Sequence, residues 1–237
     1  MKRIVSVLIA VSFLASAAHA IPVLQLYVEG STYDEGTETW VLTGAGDTVT
    51  LWTIGNVGGP GGKGSIYDVR LSIAYAGSVG PLTIGLTPTT TGGFEGFADP
   101  STPAAPSYIQ TVTDGSAPIL EGGKSLSPHG IFGEGTHWQE FLLGDFTLTD
   151  SPMADFISEF PSAEFPGTGQ INAYEITASS PTALHFDLYG YTQQSPIKPQ
   201  FAPFSHDGES FPVPEPGTVA LLGLGLLGLS ARFRRKK

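Results

Sequence analysis

His185 and Asp187 stand two residues apart in the run Leu184-His185-Phe186-Asp187-Leu188. On a β-strand that spacing puts both on one face, where an imidazole and a carboxylate can share a metal ion. His206-Asp207-Gly208-Glu209 offers similar donors from a loop; the remaining histidines beyond residue 20 are His129 and His137. Neither group shows a third and fourth ligand, so both read as solvated polar positions. Calcium suits the oxygen-rich charge better than zinc, and Asp34-Glu35-Gly36-Thr37-Glu38 is the candidate loop, but it lacks the D-x-[DN]-x-[DN]-G order. No metal site is assigned and no cofactor is expected. Glu134, Glu140 and Asp145 flank Trp138, residue types that cleave and stack on sugars. Glycoside cleavage needs two facing carboxylates at a defined separation, and a β-rich domain ordinarily buries residues such as Trp40, Trp52 and Trp138 in its core.

Phosphate and nucleophile motifs fail on closer reading. Gly123-Lys124-Ser125 has Pro118 where a phosphate loop needs its first glycine, and Gly62-Lys63-Gly64 has Val57 there and no following Ser or Thr. Gly223, Gly225 and Gly228 satisfy G-x-G-x-x-G, but inside an apolar run followed by basic residues. A dinucleotide site would need a preceding strand and a later acidic residue. Neither a G-x-S-x-G elbow before residue 213 nor an H-E-x-x-H pair occurs. No catalytic residue is assigned, and the chain is read as a non-enzyme.

The elements that would position these side chains are short strands. Gly (31) and Pro (19) are abundant among 237 residues, charged residues make up 14%, and there is no cysteine. Disulfides, thiolate metal sites and cysteine nucleophiles are therefore excluded. Between residues 21 and 211 four basic residues (Lys63, Arg70, Lys124, Lys198) face 21 carboxylates, the 22 of the whole chain less Glu215, for a net of −17. Such a domain repels nucleic acid and anionic surfaces.

Alternation gives the strands. In residues 67–75, Tyr67, Val69, Leu71, Ile73 and Tyr75 point one way and Asp68, Arg70 and Ser72 the other. Leu184, Phe186 and Leu188 do the same against His185, Asp187 and Tyr189. Further strands are expected at 23–28, 39–42, 48–54, 108–113, 141–149 and 170–177, separated by Gly-rich turns. This predicts an all-β fold, an antiparallel β-sandwich of jelly-roll or immunoglobulin-like type. One short helix is expected, capped by Ser151, with Pro152 at its first position and Met153, Phe156, Ile157 and Phe160 on one face; Pro161 ends it. The sandwich is placed at 21–192 and residues 193–212 read as a Pro-rich tether. Residues 57–65, nearly all Gly, and 87–107, rich in Thr, Gly and Pro, are long loops.

Both ends carry addresses. Met1-Lys2-Arg3, an apolar stretch over 4–15 and Ala18-His19-Ala20 form a signal peptide (1–20) cleaved after Ala20, with Ala18 and Ala20 the small residues read by signal peptidase. At the other end, Pro214-Glu215-Pro216 precedes an apolar helix over 218–231 and a basic tail at 232–237. The helix partitions into the bilayer while Arg232, Arg234, Arg235, Lys236 and Lys237 stay cytoplasmic, a stop-transfer device too short for a comfortable permanent span.

Motif, helix and basic cluster in this order at 213–237 resemble the PEP-CTERM sorting signal of Gram-negative bacteria. The resemblance implies processing by an exosortase, a membrane enzyme that recognises Pro214, Glu215 and Pro216, in a producer of extracellular polysaccharide. It implies a precursor held in the inner membrane and a product at the cell surface or outside. Leu24-Gln25-Leu26-Tyr27, the run from Leu51 to Asn56 and that from Phe201 to Asp207 resemble the choice-of-anchor surface domains of the N type, which implies no established activity. The expected function is thus a non-catalytic surface or matrix protein associated with exopolysaccharide. The alternatives are a carbohydrate-binding module using exposed aromatics and, third, a polysaccharide-acting hydrolase or lyase.

Overall fold

A computed structural model describes residues 21–45, 48–89, 105–113, 115–120, 123–126, 132–159, 167–192, 198–202 and 207–212. Residues 1–20 and 213–237, with the signal peptide and the sorting segment, lie outside them, as do His129, His206, Phe160 and Pro161. The strands are β1 (Leu24–Val28), β2 (Thr32–Asp34), β3 (Thr39–Ala45), β4 (Thr48–Gly55), β5 (Ile66–Ala76), β6 (Ile84–Pro88), β7 (Ser107–Thr113), β8 (Thr136–Phe146), β9 (Ser151–Met153), β10 (Gly167–Ala178), β11 (Leu184–Thr192), β12 (Lys198–Phe201) and β13 (Asp207–Pro212). They form the expected β-sandwich. A five-stranded sheet runs β1-β4-β10-β6, with β9 beside β10, and an eight-stranded sheet runs β2-β3-β13-β11-β5-β8-β7, with β12 beside β11. Pairing is antiparallel except between β13 and β3.

The inward-facing sets meet between the sheets. Leu24, Leu26, Val28, Leu51, Tyr174 and Ile176 from the smaller sheet pack against Val69, Leu71, Ile73, Phe141, Leu184, Phe186 and Leu188 from the larger. Burial of this apolar surface supplies the main drive to fold, since no covalent staple exists. The outer faces are covered as well. Tyr27, Trp40, Trp52, Ile54 and Ile171 pack with Met153 and Phe156 on the smaller sheet. Ala74, Trp138, Tyr189 and Tyr191 pack under Leu120, Leu126 and Phe132 on the larger. Every residue of β1 and β11 is consequently buried.

Three expectations are corrected. Asp68 adopts φ 52°, and the irregular register of β5 between Ile66 and Arg70 turns Ile66, not Tyr67, into the inter-sheet core. Such a bulge shifts alternation by one residue. The expected helix is one turn, α1 (Phe156–Glu159), because Ser151, Pro152 and Met153 pair with Gly169, Thr168 and Gly167 as β9 instead of capping it. Gln25 takes over the start of α1: its Oε1 accepts from the Phe156 N–H at 2.9 Å while its Nε2 donates to the Ala154 carbonyl at 2.9 Å. Gly169 permits the close pass of β10 over β4; a Cβ there would stand 2.2 Å from the Gly55 carbonyl oxygen.

The third correction concerns the tether. Residues 198–201 pair with β11 at Tyr189–Thr192, and 207–212 run along the same edge of β11 at Leu184–Phe186 while pairing with β3 on their other side. The sandwich therefore extends to Pro212. These residues satisfy their main chain in the sheet, which outweighs the extended conformation that Pro-rich composition suggests.

Candidate functional site

On the larger sheet's outer face the register brings polar residues from four strands into one row. Gln110 of β7 stands opposite Glu140 of β8, Glu140 opposite Ser72 of β5, and Ser72 opposite Asp187 of β11. Arg70 and Tyr189 are opposed in the adjacent row. The inward alternation of β5, β8 and β11 fixes these positions, since apolar residues on one face leave the residues between them for the other.

Glu140, 2% exposed, is the centre of the group. Its Oε1 accepts from Arg70 Nη1 at 3.3 Å and from the Tyr189 hydroxyl, and its Oε2 accepts from Gln110 Nε2 at 2.7 Å. Arg70 also pairs with Asp68, Nη2 to Oδ2 at 2.7 Å. Burial opposes the guanidinium charge, but Asp68 and Glu140 together outweigh it and hold the Arg70 pKa above its ordinary value. Burial and then the neighbouring Glu140 carboxylate push the Tyr189 phenol far up, so it stays a donor. His185 Nε2 lies 3.4 Å from Asp187 Oδ2, with both side chains buried.

Ser72, His185 and Asp187 thus share a face, but not as a hydrolytic triad. A triad needs the serine hydroxyl within reach of the imidazole and open to substrate. Ser72 is fully buried and opposes Asp187, while the Nε2 nearest that carboxylate is the atom a triad directs at serine. The arrangement can neutralise and fix a buried charge; it offers no reachable nucleophile.

The other sequence candidates scatter. His185 and Asp187, read as solvated, are buried. Glu134 is exposed, Asp145 accepts from the Asp68 N–H at 2.9 Å, and Trp138 is buried with its Nε1 donating to the Ser116 carbonyl at 3.0 Å. Asp34 turns on its own loop, with Oδ1 accepting from Gly36 N–H at 2.7 Å and Thr37 N–H at 3.4 Å. His137 lies edge-on to Tyr75. Among the described residues no three His, Asp or Glu side chains gather as a metal site, and no helix is long and apolar enough to cross a membrane. Arg70, Gln110 and Tyr189 were missed as a group; the available signal was Arg70, a lone cation alternating with carboxylate and serine in a strand.

Tyr174 supplies a pH test of the core. Burial raises its pKa from 10.0 to about 12, partly offset by a hydrogen bond with Asn172. Folding then favours the neutral phenol, so this contribution is fully present below pH 10.0 and is lost as the pH rises towards about 12. The loss expected from Tyr174 is about 2–3 kcal/mol, and Tyr189 adds in the same direction. Urea midpoints measured with tyrosinate absorbance should fall together over this interval, and Tyr174→Phe should flatten the slope. A midpoint unchanged through that interval would refute the assignment.

Residues 212–236 match the family model of the PEP-CTERM protein-sorting motif. The chain carries a PEP-CTERM sorting motif. It begins where β13 ends, and it implies processing by an exosortase, export and surface association. Pro214, Glu215, Pro216 and the basic residues Arg232, Arg234, Arg235 and Lys236 fall within the match, and Lys237 follows it. No curated protein matches this chain. Among solved structures it is similar to the Streptococcus agalactiae AgI/II polypeptide BspA C terminal domain, at 9% identity and a TM-score of 0.25, covering 80% of this chain and 50% of that one. The chain thus spans half the length of that structure, and a TM-score that low assigns neither topology nor role.

Proposed function

We propose that this PEP-CTERM protein is a non-catalytic component of the cell surface or matrix, associated with extracellular polysaccharide. The precursor is held in the inner membrane by residues 218–231 and the basic residues beyond them until an exosortase acts at Pro214, Glu215 and Pro216. The carrying observation is the sorting motif at residues 212–236, directly following a sandwich in which the Glu140 carboxylate is buried. Carbohydrate binding by stacked tryptophans has less support, because Trp40, Trp52 and Trp138 are 5%, 1% and 3% exposed.

The test follows the precursor in a cell that makes its own exosortase and polysaccharide. Joint replacement Pro214→Ala, Glu215→Ala and Pro216→Ala is expected to leave a full-length chain in the membrane fraction, while the parent chain reaches the surface or medium and cosediments with polysaccharide. Equal processing of both would remove the motif from the mechanism. A processed product that ignores polysaccharide would remove only the matrix association.

A further inference from the structure

We propose that the free edge of β7 is a self-association surface, on which a second copy of this chain lays its own β7 antiparallel and joins the two larger sheets. This goes beyond the matrix reading and does not depend on it.

β7 ends the larger sheet. One of its edges pairs with β8; among the described residues no strand and no main-chain hydrogen bond reaches the other. Such an edge presents a row of N–H and C=O groups ready to pair with another strand. The remaining edges of the sandwich are blunted by burial, shortness, charge or proline. β1 is wholly buried, and β2 is three residues long and ends on Asp34. β6 ends on Pro88, β9 holds Pro152 within its three residues, and β12 opens with Lys198-Pro199. β7 has none of these devices. Its run Ser107-Tyr108-Ile109-Gln110-Thr111-Val112-Thr113 carries no charge, no proline and no glycine, and is exposed at every position except Val112. Tyr108 is 58% and Ile109 37% exposed.

Charge and symmetry select the occupant. The net of −17 between residues 21 and 211 makes two copies repel over most of their surface, so they approach at least cost where charge is missing. The same charge draws a basic partner to the carboxylates and away from a neutral strand. An antiparallel edge is also self-complementary about a twofold axis. That axis stands perpendicular to the sheet and keeps both outer faces on one side, so residues that face alike must oppose one another. A bulge between Tyr108 and Gln110 leaves Gln110–Thr113 in regular register. Gln110 and Val112 face outward, towards Glu140 and the outer aromatic cluster. Tyr108 lies against Phe141, and its hydroxyl donates to Thr111 Oγ1 at 2.9 Å, so these two face the other way. An axis at Thr111 therefore sets Gln110 opposite Val112 of the second copy and Thr111 opposite Thr111. Threonine pairs across strands are favourable, and no charge from either β7 enters the seam. With one unblunted edge among the described strands, the pairing closes at two copies. An edge of about 23 Å is a small contact; the surface association that the sorting motif implies supplies the local concentration it needs.

The chain has no cysteine, so a single one placed at the axis reports the contact. Thr111→Cys in the full-length chain, held in detergent, is expected to cross-link to a dimer on oxidation, since opposed strand residues stand about 4.5–5.5 Å apart. Thr87→Cys, exposed on β6, measures chance encounter and should stay largely monomeric. Thr111→Lys makes the chain less negative yet puts like charges across the axis. In sedimentation equilibrium it should raise the dissociation constant of the dimer about fivefold, with a denaturant midpoint equal to the parent's to show that the strand is intact. Equal cross-linking at positions 111 and 87 would overturn the proposal. So would a parent chain that sediments as a monomer at every concentration, which would leave the edge to a strand of another protein. A dimer that Thr111→Lys leaves unchanged would place the contact elsewhere, such as the apolar run 218–231, and would overturn it as well.

Discussion

A chain spanning 21–192 is expected to show no cooperative unfolding transition, whereas one spanning 21–212 keeps it. The difference removes β12 and β13. Their loss bares the edge of β11 along both Leu184–Phe186 and Tyr189–Thr192. It also takes away Ala202, a member of the inter-sheet core, and Phe201, which packs on the outer aromatic cluster. More seriously, β2 and β3 lose the strand that joins them to the larger sheet. Trp40 of β3, in edge contact with Tyr27 at 5.0 Å, then has no sheet to hold it there. An isolated two-stranded hairpin is marginal at best in water, and ordinary domain stability is only about 5–15 kcal/mol. Circular dichroism and chemical denaturation of the two chains measure this directly. A 21–192 chain melting within a degree or two of its longer counterpart would mean that β13 contributes nothing to the sheet.

How far such features could be read from sequence depends on what holds each one. The alternation of Val69, Leu71 and Ile73, and of Leu184, Phe186 and Leu188, gave two central strands because their inward faces meet a single apolar core. The same reasoning failed on the opposite faces. His185 and Asp187 looked solvated because polar residues alternating with apolar ones usually face water; here both are buried on a face where Leu120, Leu126 and Phe132 pack on Ala74, Trp138, Tyr189 and Tyr191. No local pattern announces a layer contributed from so far along the chain. β13 was missed for a different reason: Asp207-Gly208-Glu209-Ser210-Phe211-Pro212 has no alternating apolar set, and its place is fixed by main-chain pairing on both sides. The helix was half legible. Met153 and Phe156 do share a cluster, as their spacing predicts, but strand pairing of Ser151 and Met153 with β10 decided the backbone. Within the polar group, Arg70 was conspicuous by type, while its partner Glu140, 70 residues away, becomes visible only through the β5–β8 register.

That group predicts the other large effect, at Glu140. Replacing it with Ala strands the buried Tyr189 hydroxyl and takes a partner from Gln110 Nε2 and from one arm of Arg70. Breaking a buried pair by removing one partner costs about 3–5 kcal/mol, which for a domain of this size is roughly 6–20 °C in Tm. Glu140→Gln keeps the shape and one acceptor oxygen but turns an amide N–H towards donors that already point inward, so about half that loss is expected, near 1–3 kcal/mol. Arg70→Met leaves the buried Glu140 carboxylate with only the neutral donors of Tyr189 and Gln110, while Glu140→Ala leaves an Arg70 that is 30% exposed and keeps Asp68, so Arg70→Met should cost at least as much as Glu140→Ala. Because the two side chains share one interaction, the double replacement should be milder than the sum of the singles, by about 0.5–3 kcal/mol. Denaturant midpoints of the four proteins close that cycle. Strict additivity would show that Glu140 and Arg70 are neighbours without being coupled. A Glu140→Ala protein as stable as its parent would mean that water reaches the carboxylate, and the outer face of the larger sheet would have to be reread as an open cleft with a free acid at its base.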